Sequence, residues 1–285
     1  MTSGLLLVDK PAGASSHDAV RLARRALGER RIGHAGTLDP FATGLLVLLV
    51  GPATRALPYL DGEPKVYAAR IRFGHETDTD DVTGVPTGSA PLPALTTDVL
   101  EPALHAFVGA LDQVPPAYSA KQVAGKRAYA LARRGTAPVL APARVTVHEW
   151  RLAGIDGASI DTIVTCSGGT YVRALARDLG RALGAAAHCE ALRRLRSGPF
   201  DVRDAVGFDA LEAGEGRVRS MLDGLPSLAT ERVSTDGAAR IAHGGGVPAT
   251  VPGSRAALVD DDGRVLAIAE RIEESWQPRV VFAGE

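Results

Sequence analysis

Apolar and polar positions alternate most cleanly over residues 65–73, KVYAARIRF: Tyr67, Ala69, Ile71 and Phe73 share one face, and Val66, Ala68, Arg70 and Arg72 share the other. A period of two predicts a half-buried strand. Residues 5–13, LLLVDKPAG, read as a strand that stops at a proline turn. The stretch SSHDAVRLARRALG predicts a helix, with Ser15 as N-cap, Asp18 completing a capping box and Gly28 at the C-terminal side. Residues 44–51, GLLVLLVG, are apolar without a period, which fits a buried strand and a buried helix equally. An amphipathic helix is expected over residues 95–111. Residues 160–166 read as a strand, followed by a glycine turn and a helix opened by Thr170 and closed by Gly184.

Strands and helices mix here without regular alternation. The expected fold class is therefore α+β, with a mixed, mainly antiparallel sheet flanked by helices. Composition shifts at DGLPSLA, residues 223–229. Short strands follow, two of them separated by a DDG turn, as in a small β module. A boundary at Pro226 divides the chain into residues 1–225 and 226–285.

Bulk composition narrows the class. The 285 residues are 45% apolar and 23% charged, enough for a core that needs no disulfide or metal. Cys166 and Cys189 form no CxxC pair, and a reducing cytoplasm is the expected setting. The opening MTSGLLLVDKPAG has no leader pattern, and the longest apolar run, residues 45–50, is too short for a bilayer. No membrane partner is expected. The net charge of −1 hides segregated signs. Residues 119–144 carry Lys121, Lys126, Arg127, Arg133, Arg134 and Arg144 without one acid, while acids gather in ETDTDD at 76–81 and at 260–262. Such segregation allows a basic face for a polyanion, although solvated helix faces account for it as well.

Most familiar site types are missing from the sequence. There is no GxxxxGK[ST] loop, no strand-borne GxGxxG, no HExxH and no GxSxG. Asp78, Asp80 and Asp81 are the one candidate metal cluster, but they lack EF-hand spacing and read better as a turn-capping or solvated loop. What remains is a set of polar residues at element ends. In RIGHAGTLDPFATGLLVLLVG, Asp39 stands between a glycine-bearing turn and the apolar run, and Pro40 biases it away from helix. A plain Asp-Pro turn also explains that placement. Tyr67 is first on the apolar face of its strand. Arg173, three residues past Thr170, opposes the helix dipole and calls for a carboxylate, a role Asp39 would serve.

The segments DKPAGASSHDAV, RIGHAGTLDPFATGLLVLLVG, KVYAARIRFGHETDTDDVTG, VPPAYSAKQVAGKRAYALARRG and CSGGTYVRALARDLGRALGAAAHCEALRRLRSG occur in this order. Together they resemble the bacterial TruB-type tRNA pseudouridine synthases, over residues 4–200, and the C-terminal module resembles a PUA-like domain more faintly. The resemblance implies a pseudouridine synthase type of sheet and isomerisation of uridine 55 in the T loop of tRNA. It implies no cofactor and no metal. Asp39 would be the essential carboxylate, attacking C1′ of the nucleotide or taking a proton from C2′. Tyr67 would stack on the flipped base, and Arg173 would be the third catalytic residue. Tyr171 and Leu192 would line the base pocket, His34 would fill the place the base leaves, and Lys10 would buttress the site. Residues 119–144 would be an RNA-gripping insertion, with Lys121, Lys126, Arg127, Arg133 and Arg134 on the RNA backbone. The expected partner is the tRNA T stem-loop, met by a monomer that requires no protein partner. Two rival readings are an RNA-binding, tRNA-folding protein and a guide-RNA-dependent synthase subunit, and a Mg²⁺-dependent nuclease is a distant third.

Overall fold

The computed structural model describes residues 3–118, 122–123, 126–127 and 140–282. The chain divides into two compact units, one built from residues 1–39, 44–62 and 197–285, the other from 40–43 and 63–196.

In the first unit, strand Gly4–Lys10 pairs antiparallel with Thr43–Val50 along its whole length, from Gly4 opposite Val50 to Lys10 opposite Gly44. Ile32–Ala35 joins the other edge of Thr43–Val50, and Val206–Gly207 runs parallel to Gly4–Lys10. The apolar run 45–50 is thus a strand. It has no period because both of its faces are buried. Leu45, Val47 and Leu49, with Leu5 and Leu7, pack against Ala257, Val259, Val265 and Ile268. Helix Ser16–Leu27 lies against Gly4–Lys10 and buries Ala19, Val20, Leu22 and Ala23. It begins and ends as expected: Ser15 and Asp18 form a reciprocal capping box, and Gly28 closes it at φ 63°.

The C-terminal module is a five-stranded sheet, in the order Ala229–Arg232, Arg255–Val259, Val265–Ile272, Ser275–Val281 and Val247–Pro248. The DDG turn links Arg255–Val259 to Val265–Ile272, with Gly263 at φ 76°. Helix Thr235–Ala242 covers the face that carries Leu258, Leu266, Ala269 and Trp276. Glu231 ties this face together. Its buried carboxylate accepts from the N–H groups of Thr250 and Val251, the Thr250 hydroxyl and the Trp276 indole. Burial pushes the Glu231 pKa up, but these four hydrogen bonds outweigh it and hold the group below the usual glutamate range. A depressed folded-state pKa gives stability that is present above the unfolded value and is lost as pH falls through the folded one. Glu231→Ala is expected to cost about 2–4 kcal/mol at neutral pH by stranding buried donors. Urea titrations at pH 7 and pH 3 should show that the loss shrinks in acid.

The second unit carries strands in the order Ala187–Ser197, Lys65–Phe73, Ser159–Cys166, Ala143–Asp156 and Gly109–Gln113. Lys65–Phe73 behaves as its alternation predicts, burying Tyr67, Ala69, Ile71 and Phe73. Two expectations need correction. The helix expected over 95–111 covers only Thr97–His105, and Gly109–Gln113 instead pairs with Ala143–Asp156. The helix ends at its Ala106 cap, Gly109 at φ 114° turns the chain, and the strand pairing then takes over Leu111. The helix after the glycine turn is Val172–Ala182, with Tyr171 rather than Thr170 at its N-cap. Thr170 sits within hydrogen-bonding distance of the Ser167 hydroxyl, and Gly184 turns the chain away at φ 66°. The Cys166 and Cys189 side chains are buried thiols, and burial pushes Cys166 up to about 11. Gly4–Lys10 with Thr43–Val50, Lys65–Phe73 with Ser159–Cys166, and Ala143–Asp156 with both Ser159–Cys166 and Gly109–Gln113 pair antiparallel, whereas Gly4–Lys10 with Val206–Gly207 and Ala229–Arg232 with Arg255–Val259 pair parallel.

Candidate active site

Lys10, His34 and Asp39 belong to the first unit. Lys10 ends strand Gly4–Lys10 with its side chain fully buried, and its ammonium donates to the carbonyls of Pro11 (3.0 Å) and Ala14 (2.6 Å). One cation therefore closes the Pro11–Ala14 turn that leads into helix Ser16–Leu27. His34 is half-buried in strand Ile32–Ala35. Asp39 is half-buried in the loop between Ile32–Ala35 and Thr43–Val50. Leu38, just before it, is buried among the core side chains. A carboxylate is thus held at the mouth of an apolar segment by a loop whose preceding residue is anchored in the core.

Tyr67, Tyr171, Arg173 and Leu192 belong to the second unit. Tyr67 stands opposite Val164 and is 7% exposed. Leu192 is buried in strand Ala187–Ser197, and its carbonyl accepts from the Thr43 hydroxyl at 3.5 Å. Tyr171 is clamped by a residue that the sequence did not flag. Buried Gln113 accepts from the Tyr171 N–H at 2.8 Å and donates to the Tyr171 carbonyl at 3.1 Å. Gln113→Leu should strand both backbone groups and cost about 1–3 kcal/mol, read as a shift in urea midpoint without a change in slope.

Arg173 is the second residue of its helix and only 3% exposed. Its guanidinium donates to the carbonyls of Thr79 and Tyr118 and pairs with Asp81 at 3.2 Å. Asp81, in the same unit, is thus one carboxylate that this guanidinium meets. Arg177, one turn on, pairs with Asp80 at 2.8 Å and donates to the Val114 carbonyl. Arg181 holds Glu76 through two bonds of 2.7 Å. Arginines spaced by four residues line one helix face, and this face meets Asp81, Asp80 and Glu76 of the ETDTDD run in turn. Burial pushes Asp80 up to about 6 against the pull of Arg177 and Arg173.

That ladder settles what the acidic run does. Asp80 and Asp81 are buried, not solvated, and are held by guanidinium groups. Asp81 also accepts from Thr79 and Thr83, and Asp78 accepts from the Val85 N–H. The carboxylates that a cation would need are committed to arginines and turn donors. Among the described residues no cluster of His, Cys, Asp or Glu is arranged to hold a metal ion, and no helix is long and apolar enough to cross a membrane. Lys121, Arg133 and Arg134 lie outside the described residues. Lys126–Arg127 forms a two-residue strand paired with Gln122–Val123, and the Lys126 and Arg127 side chains lie outside the description.

Residues 24–172 match the model of the TruB family pseudouridylate synthase N-terminal domain, and residues 173–225 match that of the tRNA pseudouridylate synthase B C-terminal domain. The chain belongs to the TruB family of pseudouridylate synthases. It is 45% identical over 293 residues to the tRNA pseudouridine synthase B of Thermobifida fusca, covering 100% of both chains. It is 42% identical to that of an Arthrobacter species, covering 99% of this chain and 97% of the relative. Among solved structures, the fold is similar to a Cbf5-Nop10-Gar1 complex (TM-score 0.68, 24% identity, 94% of this chain and 78% of that one). It is also similar to an archaeal box H/ACA sRNP Nop10-Cbf5 complex (TM-score 0.71, 22% identity, 98% and 86%). The TruB-type fold expected from the motifs, an α+β sheet with a small C-terminal β module, is thus the fold the chain adopts.

Proposed function

We propose that this TruB-family chain isomerises uridine 55 in the T loop of tRNA to pseudouridine. The observation that carries the reading is Asp39. It stands within GHAGTLDPFATGLL, half-buried, on a loop anchored beside a buried strand. The full-length likeness to relatives named tRNA pseudouridine synthase B supports tRNA as the substrate. The reaction breaks the N1–C1′ bond, turns the uracil and forms a C5–C1′ bond, while the C5 proton is lost and N1 gains one. Electrons balance without an oxidant or reductant, so the proposed enzyme uses no cofactor.

The T-loop base is stacked in the folded RNA and must be flipped out, at a cost of a few kcal/mol. Asp39 acts on the ribose at C1′ or C2′, Tyr67 stacks on the flipped base, and Arg173 supplies positive charge. Tyr171 and Leu192 line the base pocket, His34 fills the vacated place in the loop, and Lys10 braces the segment before the first helix. Residues 119–144, with Lys121, Lys126, Arg127, Arg133 and Arg134, grip the phosphates. The proposed division is a catalytic domain, residues 1–225, and a PUA-like module, residues 226–285, in a monomeric cytoplasmic protein. The test uses a T-stem-loop RNA carrying [5-³H]uridine, with EDTA present. Tritium should be released to water in proportion to one uridine per RNA, and no release would overturn the proposal.

A further inference from the structure

The Ser16 hydroxyl makes a double contact that the proposed chemistry does not use. Its oxygen accepts from the Leu38 N–H at 2.8 Å and donates to the Leu38 carbonyl at 3.0 Å. Ser16 is 3% exposed and Leu38 4%, so neither backbone group can exchange this partner for water at low cost. The Leu38 carbonyl belongs to the peptide plane that carries the Asp39 N–H. Holding that carbonyl fixes the plane from which the Asp39 side chain departs. On the far side, Pro40 has a locked φ and restricts the conformation of Asp39. Ser16 is itself placed as the buried first residue of helix Ser16–Leu27.

We propose that Ser16 is a positioning residue for Asp39: its hydroxyl replaces a strand partner for Leu38 and sets the direction of the carboxylate without touching RNA. This rests on the proposed role of Asp39. Hydrogen bonds that lock the backbone beside a reacting group act on the rate of chemistry and leave substrate affinity alone, because misplacement by about 1 Å can cost about 10²-fold.

Ser16→Thr and Ser16→Val add equal bulk and differ only in the hydroxyl. The experiment measures single-turnover pseudouridine formation and binding affinity on a tRNA transcript, with melting temperature recorded for each variant. Ser16→Val should form pseudouridine about 10–100-fold more slowly than Ser16→Thr, with affinities within twofold of each other. If the added methyl prevents folding in both, Ser16→Ala against wild type carries the same comparison, and the same 10–100-fold loss is expected. Ser15→Ala weakens the same helix end through its cap and should keep a near wild-type rate. Equal rates for Thr and Val, or an equal loss in Ser15→Ala, would overturn the proposal. A wild-type protein that forms no pseudouridine would instead overturn the proposed function on which it rests.

Discussion

Asp39→Asn protein is expected to bind tRNA with wild-type affinity and to form pseudouridine more slowly by on the order of 10⁴-fold or more. The substitution keeps the shape of the side chain and a hydrogen-bonding oxygen, so the half-buried loop between Ile32–Ala35 and Thr43–Val50 has no reason to move. What it removes is the negative charge and the nucleophilic or basic oxygen, which both proposed roles of Asp39 require. Leu38 stays buried and hydrogen-bonded to Ser16, so the melting temperature should change little. Single-turnover kinetics and filter binding on the same preparation separate the two quantities. A rate within tenfold of wild type would show that another group carries the reaction.

The second large effect is expected at Arg173. Its guanidinium serves Thr79, Asp81 and Tyr118 at once from a nearly fully buried position. Arg173→Met removes the cation and leaves Asp81 buried beside a thioether, at an expected cost of about 3–5 kcal/mol in stability. Arg173→Lys keeps the charge but gathers its donors on one nitrogen in place of a planar fork, and should recover only part of that loss. Activity should fall by on the order of 10²-fold or more in both variants, on the proposal that Arg173 serves the reaction. Adding Asp81→Asn to Arg173→Met removes the stranded charge. The double variant should regain stability in urea titration while remaining as slow as Arg173→Met. Joint recovery of stability and rate would mean that Arg173 acts only as scaffolding.

Features with local causes were legible in the sequence. The Ser15–Asp18 box, the Gly28 stop, the Tyr67 face and the DDG turn each follow from residues a few positions apart, and the structure bears each of them out. The run 45–50 stayed ambiguous because burial on both faces erases the period that separates strand from helix. The helix over 95–111 overran because the pairing of Gly109–Gln113 with Ala143–Asp156 is long-range. Gln113 and the Asp80–Arg177 pair were missed for the same reason, since their partners lie 58 and 97 residues away. A signal did exist for the ladder: arginines at 173, 177 and 181, on one helix face, and a compact acidic run elsewhere with no other partner in view. For Asp39 the loop placement was readable from Pro40 and the apolar run, but the chemistry was not. That came from the motif around it.

The most direct test of the whole account is to map pseudouridine on a full-length, unmodified tRNA by carbodiimide treatment and primer extension, after incubation with wild-type or Asp39→Asn protein in EDTA. The account predicts one stop, at uridine 55, with wild type and none with the variant. A stop at another position, a stop that survives in Asp39→Asn, or binding without any stop in wild type would contradict it.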